Sequence, residues 1–101
     1  MRGLTITHVP DKQRYEAELD GRPAGFTEYA YTGEYVVFTH TEVTDEAQGM
    51  GVAGALAKQA LDDIRADGIR KVLPSCPYIK NWIGKHPDYL SLVPAVKHPG
   101  H

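Results

Sequence analysis

Two side chains in this chain of 101 residues have types and settings suited to catalysis: Cys76, the only cysteine, and His40. Cys76 sits in "KVLPSCPYIKNW", fenced by Pro74 and Pro77. Proline is favoured at the first position of a helix, so Pro77 predicts a helix start and makes Cys76 its N-cap. There the sulfur meets unsatisfied N–H groups and the positive end of the helix dipole, a setting that favours a thiolate. A lone cysteine is equally a small apolar filler, since cysteine is among the most buried residue types. It forms no internal disulfide and no multi-thiolate zinc site, in keeping with a reducing compartment. His40 lies near the end of a run of strand type, and imidazole titrates in the range that general base catalysis needs. Its rival role is that of a half-buried strand residue whose ring satisfies a backbone group.

A third feature carries chemistry through its backbone. "TDEAQGMGVAG" places Gln48, Gly49, Gly51 and Ala53 just before an amphipathic run. Small residues there leave the first N–H groups of the following helix uncovered, and these bind anions such as a pyrophosphate. The same glycines also serve a sharp turn with no ligand. A Walker A loop is excluded, because Gly51 is followed by Val52 and Ala53 rather than Lys and Ser or Thr. A dinucleotide fingerprint belongs after a first parallel strand near the chain start, and this turn comes too late. His86, His98 and His101 invite a metal reading, but "HPGH" lacks a nearby third ligand, so no metal is expected.

The elements that must position these groups follow from periodicity. "LTITHV" (Leu4 to Val9) and "RYEAEL" (Arg14 to Leu19) alternate apolar and polar residues, and "DGRP" after the second is a hairpin signal. "AGFTEYAY" (Ala24 to Tyr31) and "EYVVFTHTEV" (Glu34 to Val43) are aromatic and β-branched, joined at Thr32-Gly33. From Val52 to Ile64 the apolar residues recur at steps of three and four, predicting a helix closed by Gly68. "IRKVLP" (Ile69 to Pro74) reads as a strand and "PYIKNWIGKHP" as a second helix ending before Pro87. The order β-β-β-β-α-β-α is α+β: a mostly antiparallel sheet with one parallel pair, made by the crossover, and two flanking helices. The tail "YLSLVPAVKHPGH" reads as a strand or a helix, with residues 92–101 loosely ordered. One domain over residues 1–101 is expected, because a chain with 42% apolar residues holds one core and not two.

Composition narrows the function classes. The net charge of −2 comes from interleaved acids and bases, with no basic run to follow phosphates, so nucleic acid is not an expected partner. No apolar stretch approaches the roughly 20 residues of a membrane span, and Met1 to Pro10 lacks the pattern of a signal peptide. A cytoplasmic protein without membrane attachment is the expectation.

Gln48-Gly49-Met50-Gly51-Val52-Ala53 resembles Gln/Arg-x-x-Gly-x-Gly/Ala, the acetyl-coenzyme A pyrophosphate loop of the GNAT superfamily of N-acetyltransferases, in its usual place between the fourth strand and the next helix. "HTEV", "GMGVAGALAKQAL" and "VLPSCPYIKNWIGKHPDY" resemble a small single-domain GNAT-like subfamily with a Pro-x-Cys-Pro-aromatic motif, over roughly Val36 to Tyr89. Gln48 stands where that subfamily usually has arginine. The resemblance implies a minimal GNAT fold whose fourth and fifth strands run parallel and splay apart. It implies that Thr41, Glu42 and Val43 hold the pantetheine of acetyl-coenzyme A through their backbone. The N–H groups of Gln48, Gly49, Met50, Gly51, Val52 and Ala53 would hold the pyrophosphate, and the thioester would point between His40 and Cys76. Cys76 is then either an acetyl-accepting nucleophile or the acid that protonates the leaving thiolate. Glu34 ranks behind His40 as a base, and Glu42 is otherwise structural or solvated.

The implied activity is transfer of acetyl from acetyl-coenzyme A to an amine, on a small molecule or exposed on a protein, by a monomer or homodimer. The short link "HVPDKQRYEAEL" leaves no room for the helices that wall the acceptor side in larger members, so an open acceptor side is expected. The rival is a coenzyme A or acyl-coenzyme A binding module without efficient catalysis. A cysteine-dependent hydrolase or redox protein is a distant third.

Overall fold

The computed structural model describes residues 3–94. Strands β1 (Leu4–Val9), β2 (Arg14–Leu19), β3 (Arg22–Thr32) and β4 (Tyr35–Val43) are followed by helix α1 (Val52–Asp67), strand β5 (Lys71–Leu73) and helix α2 (Pro77–Lys85). The sheet order is β1-β2-β3-β4-β5. The first three pairings are antiparallel and β4–β5 is parallel, so the expected α+β sheet with one parallel pair is what forms. The Asp20-Gly21 hairpin turn has positive φ at both residues, as the tight turn demands.

Strand alternation selects the buried face. Tyr15, Ala17, Thr27, Tyr29, Val36 and Phe38 are buried. They meet α1 through Val52, Leu56, Ala57, Ala60, Leu61 and Ile64, the residues of the apolar stripe. Ile79 and Ile83 of α2 join the same cluster, so both helices cover one face of the sheet. The opposite face carries Arg14, Glu16, Phe26, Glu28, His40 and Glu42, all exposed or half-buried, with no helix over it among the described residues. At Gly25 β3 and β4 approach closely. A Cβ there would lie 2.5 Å from the Glu42 carbonyl oxygen, so only glycine lets the two backbones meet.

Three boundaries differ from the sequence reading. β3 begins at Arg22, because Leu19↔Arg22 and Glu18↔Pro23 pairing starts at the turn itself. β5 is only Lys71–Leu73, since it pairs with Tyr35–Val37 and then leaves the sheet. The segment after α2 is neither strand nor α-helix but a 3-10 helix, Pro87–Leu92. Pro87 opens it, and Tyr89 and Leu92 turn into the core. The tail expected to be loose runs mostly over residues 95–101, which with His98 and His101 lie outside the described residues.

Polar contacts pin α1 to its neighbours. The Tyr15 hydroxyl donates to Asp63 Oδ2 at 2.8 Å, and the Tyr89 hydroxyl donates to Asp62 Oδ1 at 2.7 Å. Burial, then the hydrogen bond to Asp63, push the Tyr15 phenol well above the ordinary tyrosine range. Burial, then Tyr31, push Tyr29 up to about 12. Raised values mean that these phenols contribute fully below the unfolded value of about 10 and lose that contribution as pH climbs toward the folded values. Denaturation midpoints should therefore fall above about pH 10. Tyr15→Phe should flatten that fall while costing about 1 kcal/mol at neutral pH through the lost Asp63 bond. Urea titrations across this range check both effects.

Candidate functional site

β4 is nine residues long, but β5 pairs with only its first three. From Phe38 to Val43 the β5-side edge of β4 is covered by no strand among the described residues. Peptide groups along such an edge are donors and acceptors awaiting partners. One is already engaged, since the Gln48 side chain donates through Nε2 to the Val43 carbonyl at 3.1 Å. Gln48 thus ties the following turn to the end of the strand.

That turn runs through a short 3-10 helix, Asp45–Ala47, into Gly49 and Gly51, both at φ +78. Gly51 is the N-cap of α1 and offers no side chain, and no atom lies within 4 Å of where a Cβ would sit on either glycine. The first N–H groups of a 16-residue helix thus open onto free space with no acidic residue in the first turn. The combination suits an anion bound by backbone, and a side chain at Gly51 would both strain the turn and fill the approach. Val52 itself is buried, so its part in such a site is its peptide group.

Cys76 is the N-cap of α2, as Pro77 predicts, with extended backbone (φ −75, ψ 122). Its side chain does not cap the helix. Instead the thiol donates to Thr41 Oγ1 at 3.5 Å, and Thr41 Oγ1 shares a 2.8 Å hydrogen bond with Thr27 Oγ1. Cys76 is 5% exposed and stands at the base of the gap between β4 and β5. Two further α2 side chains face this region. A Cβ on Gly54, in the first turn of α1, would lie 3.5 Å from Trp82 Nε1 and 3.8 Å from the Tyr78 hydroxyl. Tyr78 remains 40% exposed, and partial burial pushes its phenol pKa up. Gly54 lies beneath both rings, where a Cβ would make ordinary van der Waals contact with them.

His40 lies on the other face. Phe38↔Tyr29 and His40↔Glu28 are successive pairs, which leaves Thr39 as a bulge residue with no partner. The extra residue inverts the alternation after it. Thr41 and Val43 take the helix side, while His40 and Glu42 face outward. His40 Nε2 donates to Glu42 Oε2 at 2.7 Å, which leaves Nδ1 as the proton-accepting nitrogen of the neutral ring. The ring also lies 5.8 Å from that of Phe26. Cys76 and His40 are therefore held on opposite faces of one strand, one residue apart through Thr41. Glu34 precedes β4 at its β5-paired end, where its carbonyl accepts from Lys71 N, well away from the open edge.

Among the described residues no three His, Cys, Asp or Glu side chains converge as a metal site. No helix there is long and apolar enough to cross a membrane.

Comparison with known proteins fits this geometry. The family described as GCN5-related N-acetyl-transferase matches residues 14–92. Protein NATD1 of Mus musculus is 30% identical over 86 residues, covering 83% of this chain and 77% of that protein. The solution structure of a GCN5-like protein from Staphylococcus aureus superposes with a TM-score of 0.73 at 22% identity, covering 97% of this chain and 95% of that one. N-acetylglutamate synthase from Neisseria gonorrhoeae, solved with coenzyme A and N-acetyl-glutamate, shares the fold at a TM-score of 0.60 and 15% identity, over 82% of this chain and 22% of that one. With most of its length matched by the family pattern, the chain belongs to the GCN5-related N-acetyltransferase family.

Proposed function

We propose that the protein transfers the acetyl group of acetyl-coenzyme A to an amine, with the unpaired edge of β4 and the uncapped start of α1 as its coenzyme site. The observation that carries this reading is their continuity. A strand edge that no strand among the described residues pairs from Phe38 to Val43 runs directly into a turn whose glycines leave helix N–H groups open. Thr41, Glu42 and Val43 offer backbone partners to the pantetheine amides, and Gly49, Gly51, Val52 and Ala53 offer N–H groups to the pyrophosphate, those of Gln48 and Met50 being already bonded to the Asp45 and Ala47 carbonyls. Acetyl-coenzyme A supplies an activated acyl carbon and a thiolate leaving group.

The two faces of β4 then divide the work. On the open face His40, oriented by Glu42, accepts a proton from the amine at Nδ1. As the new C–N bond forms, the C–S bond breaks and its electron pair stays on sulfur. On the helix side Cys76 gives its proton to that sulfur, and solvent restores both groups. The burial of the thiol and its engagement with Thr41 favour this acid role over a covalent acetyl-cysteine. Tyr78, across the start of α1, offers a further hydroxyl in the region. A small-molecule or exposed protein amine as acceptor, a monomer or homodimer, and a cytoplasmic setting are part of the proposal.

Two measurements test this. Gly51→Val, at φ +78, should weaken coenzyme A binding by about tenfold or more while leaving the circular dichroism of the fold in place, as calorimetry would read. Unchanged affinity would remove the coenzyme from this site. His40→Ala should lower kcat by about 100-fold or more with coenzyme A affinity unchanged. Cys76→Ala should slow turnover, and mass spectrometry after incubation with acetyl-coenzyme A should show no acetyl on Cys76. Tight coenzyme binding without amine-dependent release across a broad amine panel would instead make the protein a binding module.

A further inference from the structure

We infer that the acceptor is an aliphatic primary amine carrying a second positive charge, bound on the open face of the sheet beside His40. This deepens the acetyl-transfer reading and rests on it for the chemistry, although the binding surface is observed independently. The register aligns two rows across three strands. Arg14↔Glu28↔His40 form one, and Glu16↔Phe26↔Glu42 form the next. Side chains opposite one another point to the same side, so six residues make a patch about 10 Å wide with a ring at its centre.

A shallow cleft of about 390 Å³ extends this patch, lined among others by Glu16, Glu18, Pro23, Phe26 and Glu42. It is large enough for a short alkyl chain and is bounded by apolar surface as well as charge. The patch already shows how it treats a cation. The Arg14 guanidinium lies 4.1 Å from the centre of the Phe26 ring, with Glu28 at 2.5 Å and Glu16 at 3.4 Å. An aromatic face flanked by carboxylates is therefore occupied by positive charge within the protein itself.

Arg14 does not balance the surface. Four carboxylates, Glu16, Glu18, Glu28 and Glu42, stand against one arginine, and Glu18 has no hydrogen bond or ion pair among the described residues. An anionic acceptor would meet repulsion here, and a neutral one would leave the carboxylates uncompensated. A dicationic amine can place one nitrogen at His40 Nδ1 and its second charge toward Glu18 and Glu16. Glu16 lies two strands across from His40 and one row along, about 12 Å between backbones at about 4.8 Å per strand and about 6.8 Å per two residues, a span that a triamine such as spermidine, or a lysine with a flanking basic residue, covers. The same chemistry is offered by a free polyamine and by a lysine within a basic peptide.

The test separates binding from turnover and one source from the other. Backbone amide resonances of the whole protein are followed on adding spermidine, an acetyl-capped lysine-arginine peptide, or glutamate. Shifts within 14–18, 23–28 and 40–44 with spermidine or the peptide, and none with glutamate, support the site and identify the source. Shifts elsewhere, or none with either cation, overturn it. Initial rates with acetyl-coenzyme A should favour the cationic amine that binds over glutamate by about 100-fold in kcat/KM, and the preference should shrink as salt rises. Glu18→Lys, an exposed change, should raise the KM for the amine about tenfold with coenzyme A affinity unchanged. Equal rates for cationic and anionic amines, or an indifferent Glu18→Lys, would refute the inference while sparing acetyl transfer. Binding of the cation at this face without turnover of any amine would refute acetyl transfer while sparing the site.

Discussion

One unpaired residue in β4, Thr39, decides which side chains of that strand meet the helices and which meet solvent. Because side chains alternate with a period of two, a single insertion moves every later residue to the other face. Val36 and Phe38 point into the core, and without the bulge His40 and Glu42 would follow them. Burying an imidazole and a carboxylate under α1 would carry a desolvation cost that the apolar pocket there cannot return. With the bulge, Thr41 and Val43 occupy that side, and Thr41 joins Thr27 and Cys76 in a small polar contact.

The early end of β5 is the complementary constraint. Three parallel pairs anchor β4 at Tyr35–Val37, and the chain then turns away through Pro74 to start α2. Pairing that continued would satisfy the edge of β4 and close the gap. What keeps β5 and α2 in place is burial: Val72, Ile79 and Ile83 are at most 2% exposed, and each contributes about 1.5–3 kcal/mol by leaving water. The gap is thus held open by packing on either side of it, and its free peptide groups are a product of topology and not of any polar side chain.

α1 links the two ends of this arrangement. Its C-terminal half is tied to the sheet and to the segment after α2 by Tyr15–Asp63 and Tyr89–Asp62. Its N-terminal turn carries Gly51, whose left-handed backbone faces open space, and Gly54, which lies beneath Trp82 and Tyr78. The helix is anchored at one end and left uncapped at the other, so its start is positioned by the core and free to meet a ligand.

Much was legible in the chain alone. The period-two runs, the Asp-Gly turn and the helical stripe from Val52 to Ile64 set the order of elements, because each is a local property of neighbouring residues. The glycine turn before that helix and the proline that makes Cys76 an N-cap are local too, and both hold in the structure. The separation of His40 from Cys76 was not legible. It depends on a bulge, and a bulge is defined only against a partner strand, since one residue more or less in β4 has meaning only beside β3. The length of β5 and the exposed edge it leaves likewise arise from pairing, and the row Glu16–Phe26–Glu42 joins three strands distant in sequence. Local propensity wrote the elements, whereas register, which is a relation between strands, decided which residues share a face.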